Sequence, residues 1–127
     1  MKQVALAICM ILSAIGFGQL ADFSFKKNAF HFGKIQEGTI IKQYVIFKNS
    51  GKAPLIIEDY GIECTCTKVE YPRYPIPPGQ TDSLLLIFDS KGKKGKQDRE
   101  VILYVNTKQK EASFRFTMTV IPRKENK

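Results

Sequence analysis

The chain has 127 residues, 43% of them hydrophobic, with 20 Lys and Arg against 12 Asp and Glu and a formal net charge of +8. That length holds one compact domain with a single core and excludes two. In an exported protein, such a charge directs attention away from nucleic acid and toward a solvated surface or anionic envelope components. Export is what the N-terminus announces. Lys2 precedes an apolar run from Val4 to Ile15, interrupted by Ser13, which has the length of a signal-peptide core and falls short of a membrane span. Gly16 and Gly18 then offer small residues at the −3 and −1 positions of a cleavage site. Residues 1–18 therefore read as a signal peptide and 19–127 as the mature domain, periplasmic or secreted and not integral to a membrane after cleavage. The competing reading is a short uncleaved anchor. Cys9 stands too near the N-terminus, behind the bulky Ile8, to be a lipoprotein cysteine, and is lost with the signal.

From residue 19 onward, period two dominates. Ile41, Val45 and Phe47 share one face of a run over 39–48, and Leu84, Leu86 and Phe88 share one face over 81–89. The same rhythm gives Val101, Leu103 and Val105, then Phe114, Phe116, Met118 and Val120. These spacings predict strands near 22–26, 29–35, 39–48, 54–60, 64–70, 81–89, 98–106 and 111–121, with no apolar stripe at helical spacing. Turn signals separate them. Asn49-Ser50-Gly51 precedes Pro54, with Gly51 suited to a positive φ. Pro72, Pro75, Pro77 and Pro78 lead to Gly79 in a segment that no central strand tolerates. Ser90 to Lys96 is a flexible cationic turn. Strands at this spacing imply an all-β chain forming one sandwich of about seven to eight strands.

Six fragments in order carry a family resemblance: Phe32-Gly33-Lys34-Ile35, Glu37-Gly38, Phe47-Lys48-Asn49-Ser50-Gly51 with Pro54-Leu55, Cys64-Thr65-Cys66-Thr67, Ile76-Pro77-Pro78-Gly79-Gln80, and Phe88-Asp89-Ser90-Lys91-Gly92. Together they resemble domain-of-unknown-function family 1573, small exported bacterial proteins. The resemblance implies an immunoglobulin-like fold similar to major sperm protein and pilus-chaperone domains, and it implies no reaction. The family typically has Gly between the two cysteines, where this chain has Thr65. A β-branched residue resists the sharp backbone excursion that glycine permits.

The cysteine pair is where residue chemistry can exceed packing. On an extended strand Cys64 and Cys66 share a face with Cα atoms roughly 6.6 Å apart at about 3.3 Å per residue, near the upper limit of about 6.8 Å for a bridge. A bridge there needs a kink at Thr65 and closes too short a loop to stabilise much. Three readings stay open: two small thiols or a local bridge packed as hydrophobes, a labile redox disulfide, or a soft-metal pair for Cu(I) or Zn²⁺. Two thiolates do not complete a tetrahedral site, and neither His31 nor Met118 is a convincing third ligand. No cofactor is expected.

Elsewhere there is no nucleophile motif, paired-carboxylate constellation or phosphate loop, so the chain reads as a non-enzyme. Lys91, Lys93, Lys94 and Lys96 form a candidate contact for anionic envelope lipid or glycan, against the simpler reading of a soluble turn. Tyr44, Ile46, Leu85 and Ile87 lie on the faces opposite the inward sets, as do Ile102 and Tyr104. If the strands carrying the first four pair in one sheet, they form an exposed patch for a protein partner or for self-association. The functional expectation is a non-catalytic interaction or structural module of the bacterial envelope. The alternative is a thiol-redox or soft-metal-handling protein using Cys64 and Cys66.

Overall fold

The computed structural model describes residues 19–124, so the expected signal peptide over 1–18 lies outside the described residues. Alternating apolar residues produce eight strands and two sheets. Strands β1 (Phe23–Phe25), β3 (Ile40–Asn49), β6 (Thr81–Asp89) and β5 (Thr67–Glu70) form one sheet in that order. Strands β2 (Ala29–Gln36), β8 (Glu111–Ile121), β7 (Gly95–Val105) and β4 (Ile57–Ile62) form the other. The sheets are antiparallel except where β2 lies parallel to β8. The N-terminal segment thus starts in one sheet as β1 and crosses to the other as β2. The result is an immunoglobulin-like β-sandwich. No helix among the described residues is long and apolar enough to cross a membrane.

The core is the inward set that period two identifies. Ile41, Val45, Phe47, Leu84, Leu86, Phe88, Val101, Leu103, Val105, Phe114, Phe116, Met118 and Val120 are all buried. Aromatic rings tie the layers together: Phe88 meets Phe116 edge-on across the sandwich with centroids 5.4 Å apart, and Phe25 meets Phe114 edge-on at 5.9 Å.

Three strand starts lie three residues from the sequence expectation, the others within one. The expected strand 54–60 starts at Ile57, because Leu55 instead makes an isolated bridge to Ile76 and seats the proline-rich segment on the core. The expected strand 98–106 starts at Gly95, so Lys96 belongs to β7 opposite Thr119 rather than to the turn. The expected strand 64–70 starts at Thr67, leaving both cysteines in a turn.

Asn49 and Gly51 hold the N-terminal segment against the sandwich. Asn49 is fully buried. Its Nδ2 donates to the carbonyls of Ala53 (2.8 Å) and Ile76 (2.9 Å), and its Oδ1 accepts from the N–H groups of Gly51 (3.0 Å) and Asp22 (3.3 Å). Gly51 does not use a positive φ. Its requirement is space, since a Cβ there would fall inside the backbone of Leu20, Ala21 and Asp22, whose chain receives the Lys52 N–H at the Leu20 carbonyl, 2.8 Å away.

Candidate functional site

The segment after β4 turns sharply at Cys64-Thr65-Cys66-Thr67, where the Thr67 N–H donates to the Cys64 carbonyl at 3.0 Å. The turn brings the Cα atoms of Cys64 and Cys66 to 5.2 Å, and the two residues are joined by a disulfide. That separation lies inside the usual range for bridged cysteines. The kink that extended geometry demanded is therefore supplied by the turn. Neither Thr65 nor Cys66 has a positive φ, so the turn accommodates the β-branched Thr65 without left-handed backbone. Beyond it, the Cys66 carbonyl accepts the Asp89 N–H at 2.9 Å, fastening the turn to the end of β6.

The same end of β6 leads into the cationic turn. Ser90 is buried, and its hydroxyl donates to the Thr39 carbonyl at 2.6 Å. The Lys93 N–H donates back to the Ser90 carbonyl at 3.0 Å, and the Lys91 N–H to Asp89 Oδ1 at 3.0 Å. These bonds aim the turn at the bridge. A groove of about 410 Å³ is lined by Cys64, Thr65, Cys66, Lys68, Ile87, Asp89, Lys91 and Lys93. The four lysines singled out in the sequence are thus divided. Lys91 and Lys93 line the groove that holds the bridge. Lys94 is exposed on the turn, its carbonyl accepting from Gln97 Nε2 at 3.2 Å. Lys96 lines a separate depression with His31 and Met118. Lys68 joins the bridge although sequence reasoning passed over it. Its place follows from β5–β6 register, which sets Lys68 opposite Ile87, and no local signal carries that register. His31 bonds through Nδ1 to Thr117 Oγ1 at 2.7 Å and stays apart from the cysteines. Among the described residues, no three His, Cys, Asp or Glu side chains gather as a metal site.

The second candidate set meets its condition. β3 pairs with β6 in one sheet, with Tyr44 opposite Leu85 and Ile46 opposite Ser83. Tyr44 is 64% exposed and Ile46 38%, whereas Leu85 and Ile87 are half-buried by their strand neighbours. Ile102 and Tyr104 lie on β7 of the opposite sheet and stand outside this patch.

Beside the patch the sheet edge is open. β1 pairs only with Phe47, Lys48 and Asn49, and past its end the Lys26 N–H reaches the Ile46 carbonyl at 3.0 Å. Main-chain groups alternate in direction along a strand. Those of Lys42 and Tyr44 therefore point the same way as Ile46, away from β6 and beyond the end of β1. At Tyr44 the carbonyl is capped by Gln43 Nε2 at 2.8 Å. Grooves along this edge are lined by Lys26, Lys27, Tyr44 and Ile46, and by Phe25, Phe47 and Lys48.

The family model for the protein of unknown function DUF1573 matches residues 23–120, most of the chain. This chain belongs to the DUF1573 family. No curated protein matches this DUF1573 chain. Among solved structures, it is similar to a protein of unknown function from Porphyromonas gingivalis W83, with a TM-score of 0.69 and 16% identity over 84% of this chain and 50% of that one. It is also similar to the ASH/PapD-like domain 7 of human CEP192, with a TM-score of 0.62 and 6% identity over 87% of this chain and 92% of that domain. The Vibrio cholerae VesB protease matches with a TM-score of 0.62 and 12% identity over 91% of this chain and 36% of the protease. The DUF1573 chain thus spans half the length of the Porphyromonas protein and about a third of VesB. At these identities the likeness is one of fold. Neighbours from unrelated contexts share the sandwich, so function must be argued from the site.

Proposed function

We propose that this chain is an exported, non-catalytic immunoglobulin-like module of the bacterial envelope that binds an extended segment of a partner protein along β3. The observation that carries the reading is the edge of β3 at Lys42 and Tyr44, which pairs with β6 on one side and with no strand on the other, its Tyr44 carbonyl held by Gln43, beside the exposed side chains of Tyr44 and Ile46. An unpaired edge offers N–H and C=O groups in register for one more strand, and alternate side chains of that strand meet the apolar face. Lys26, Lys27, Lys42 and Lys48 surround the edge, so the segment that fits it alternates apolar and acidic residues. The four lysines of the sequence expectation divide among different surroundings, which favours this strand-addition reading over one cationic patch for lipid or glycan.

A photo-cross-linking residue at position 46 in the producing cell tests the reading. It should give a discrete adduct with another protein, absent when the probe stands at Lys108. Adducts of equal pattern from both positions contradict the reading. An adduct consisting of a second copy of this chain replaces the foreign segment by self-association.

A further inference from the structure

The Cys64–Cys66 bridge spans a sequence separation of only 2, so its loop-closure contribution to stability is small. It nevertheless sits in the groove shared with Lys68, Lys91 and Lys93. The Cys66 N–H is directed at Cys64 Sγ, 3.2 Å away. We propose that Cys64 and Cys66 form a thiol–disulfide exchange site for small disulfides and thiols that carry carboxylates. This goes beyond the strand-binding reading and rests on different residues.

The two sulfurs have different surroundings. Cys66 packs against the hydrophobic core, and its carbonyl is bound to β6. Cys64 receives the backbone N–H and heads the turn. When the bridge is open, a thiolate on Cys64 keeps that N–H donor and lies on the cationic groove; both effects favour the ionised form. Cys64 is thus the attacking sulfur and Cys66 the resolving one. The Cys64 thiolate attacks one sulfur of a substrate disulfide, the Cys64–substrate bond forms, the substrate S–S bond breaks, and the departing thiolate takes a proton from water. Cys66 gives its proton to solvent and attacks Cys64 Sγ. The bridge closes as the second substrate thiolate leaves. Two electrons pass from the protein dithiol to the substrate disulfide, and in reverse the bridge oxidises two substrate thiols.

Charge selects the substrate. Lys68, Lys91 and Lys93 face one carboxylate, Asp89, which is itself engaged by the Lys91 N–H. Lys68 also lies 4.0 Å from Glu70, with both side chains largely in solvent. Exposed charges are screened, so their selectivity is modest and salt-dependent.

The test uses the full chain carrying Cys9→Ser, reduced and mixed with glutathione disulfide or with the cationic disulfide cystamine. Glutathione disulfide should react about fivefold faster at low ionic strength, and the preference should vanish in 1 M salt, as about 3 Å screening requires. Combined Lys68→Gln, Lys91→Gln and Lys93→Gln should abolish the preference, with an unchanged circular dichroism spectrum. Added Cys66→Ser should accumulate a mixed disulfide on Cys64, located by peptide mass mapping. Should that variant fail to fold, alkylation of the reduced parent against pH remains decisive, with a Cys64 midpoint expected below the free-thiol value of about 8.5. Three results overturn the proposal: a bridge that millimolar reduced glutathione does not open, a Cys64 midpoint at or above the free value, or a disulfide preference unaltered by the lysine changes.

Discussion

Removing the Asn49 side chain strikes the joint between the N-terminal segment, β3 and the proline-rich segment. In Asn49→Ala the carbonyls of Ala53 and Ile76 and the Gly51 N–H each lose a bond of 3.0 Å or less, and the longer bond from Asp22 is lost too. At about 1 kcal/mol net for each of the three short bonds, the loss is about 3 kcal/mol, and groups left buried without partners raise it further. For a domain of this size, Tm falls by about 4–8 °C per kcal/mol, so a drop of roughly 12–24 °C is expected in a thermal melt. Asn49→Asp adds a pH signature. It keeps the acceptor for Gly51 and sets a carboxylate against the two carbonyls, which raises its folded pKa above the unfolded value of about 3.9. The variant is therefore least impaired below that value and loses stability as pH rises through the folded pKa. The exposed Ser50→Ala serves as control and should stay within about 0.5 kcal/mol. An Asn49→Ala melt as close to wild type as that control refutes the reasoning.

Two further outcomes follow from local contacts. Gly51→Ala forces a Cβ into the backbone of residues 20–22; it should release that segment, seen as new proteolytic cleavage near Leu20, and protection equal to wild type contradicts the close approach. Tyr74 donates its hydroxyl proton to Asp82 Oδ2 at 2.7 Å, and this bond, then burial and the nearby charge, raises its pKa above the ordinary tyrosine value. Spectrophotometric titration should show one tyrosine ionising late, and Asp82→Asn should bring it down; identical titration curves rule the bond out.

The sandwich was legible because each long strand buries one alternating set, and those sets are dense in Phe, Leu, Ile and Val. Leu84, Leu86 and Phe88 could hardly lie anywhere but inward. Reading the ends was harder. Leu55 is apolar and two residues before Ile57, yet its main chain pairs with Ile76 in a segment whose prolines hide that pairing. Asn49 and Gly51 look like ordinary turn residues in sequence; their roles depend on Leu20 to Asp22 arriving from far along the chain. The cysteine site was half visible. Cys64 and Cys66 announce themselves, but treating them as strand residues overstated their separation, because the turn begins where the alternating pattern is too short to locate it. Their meeting with Lys91 and Lys93 arises from the Asp89 to Cys66 bond between segments more than twenty residues apart, and Lys68 enters only through register. The outer-face expectation for Tyr44, Ile46, Leu85 and Ile87 depends on β3–β6 pairing, which the sheet has, with Leu85 and Ile87 half-buried. The open edge beside it follows from the brevity of β1, a length that three residues of sequence do not reveal.

Residue-resolved amide hydrogen exchange along β3 tests the strand-addition account most directly. The N–H groups of Gln43 and Val45 point to β6, opposite Leu86 and Leu84, while those of Lys42 and Tyr44 point to the open edge. In the isolated protein, Lys42 and Tyr44 should exchange at least about a hundredfold faster than Gln43 and Val45, since paired core-strand amides open only with larger unfolding events. Purified with the partner cross-linked at position 46, the same two amides should become protected. Protection of Lys42 and Tyr44 equal to that of Val45 in the isolated protein would contradict the account.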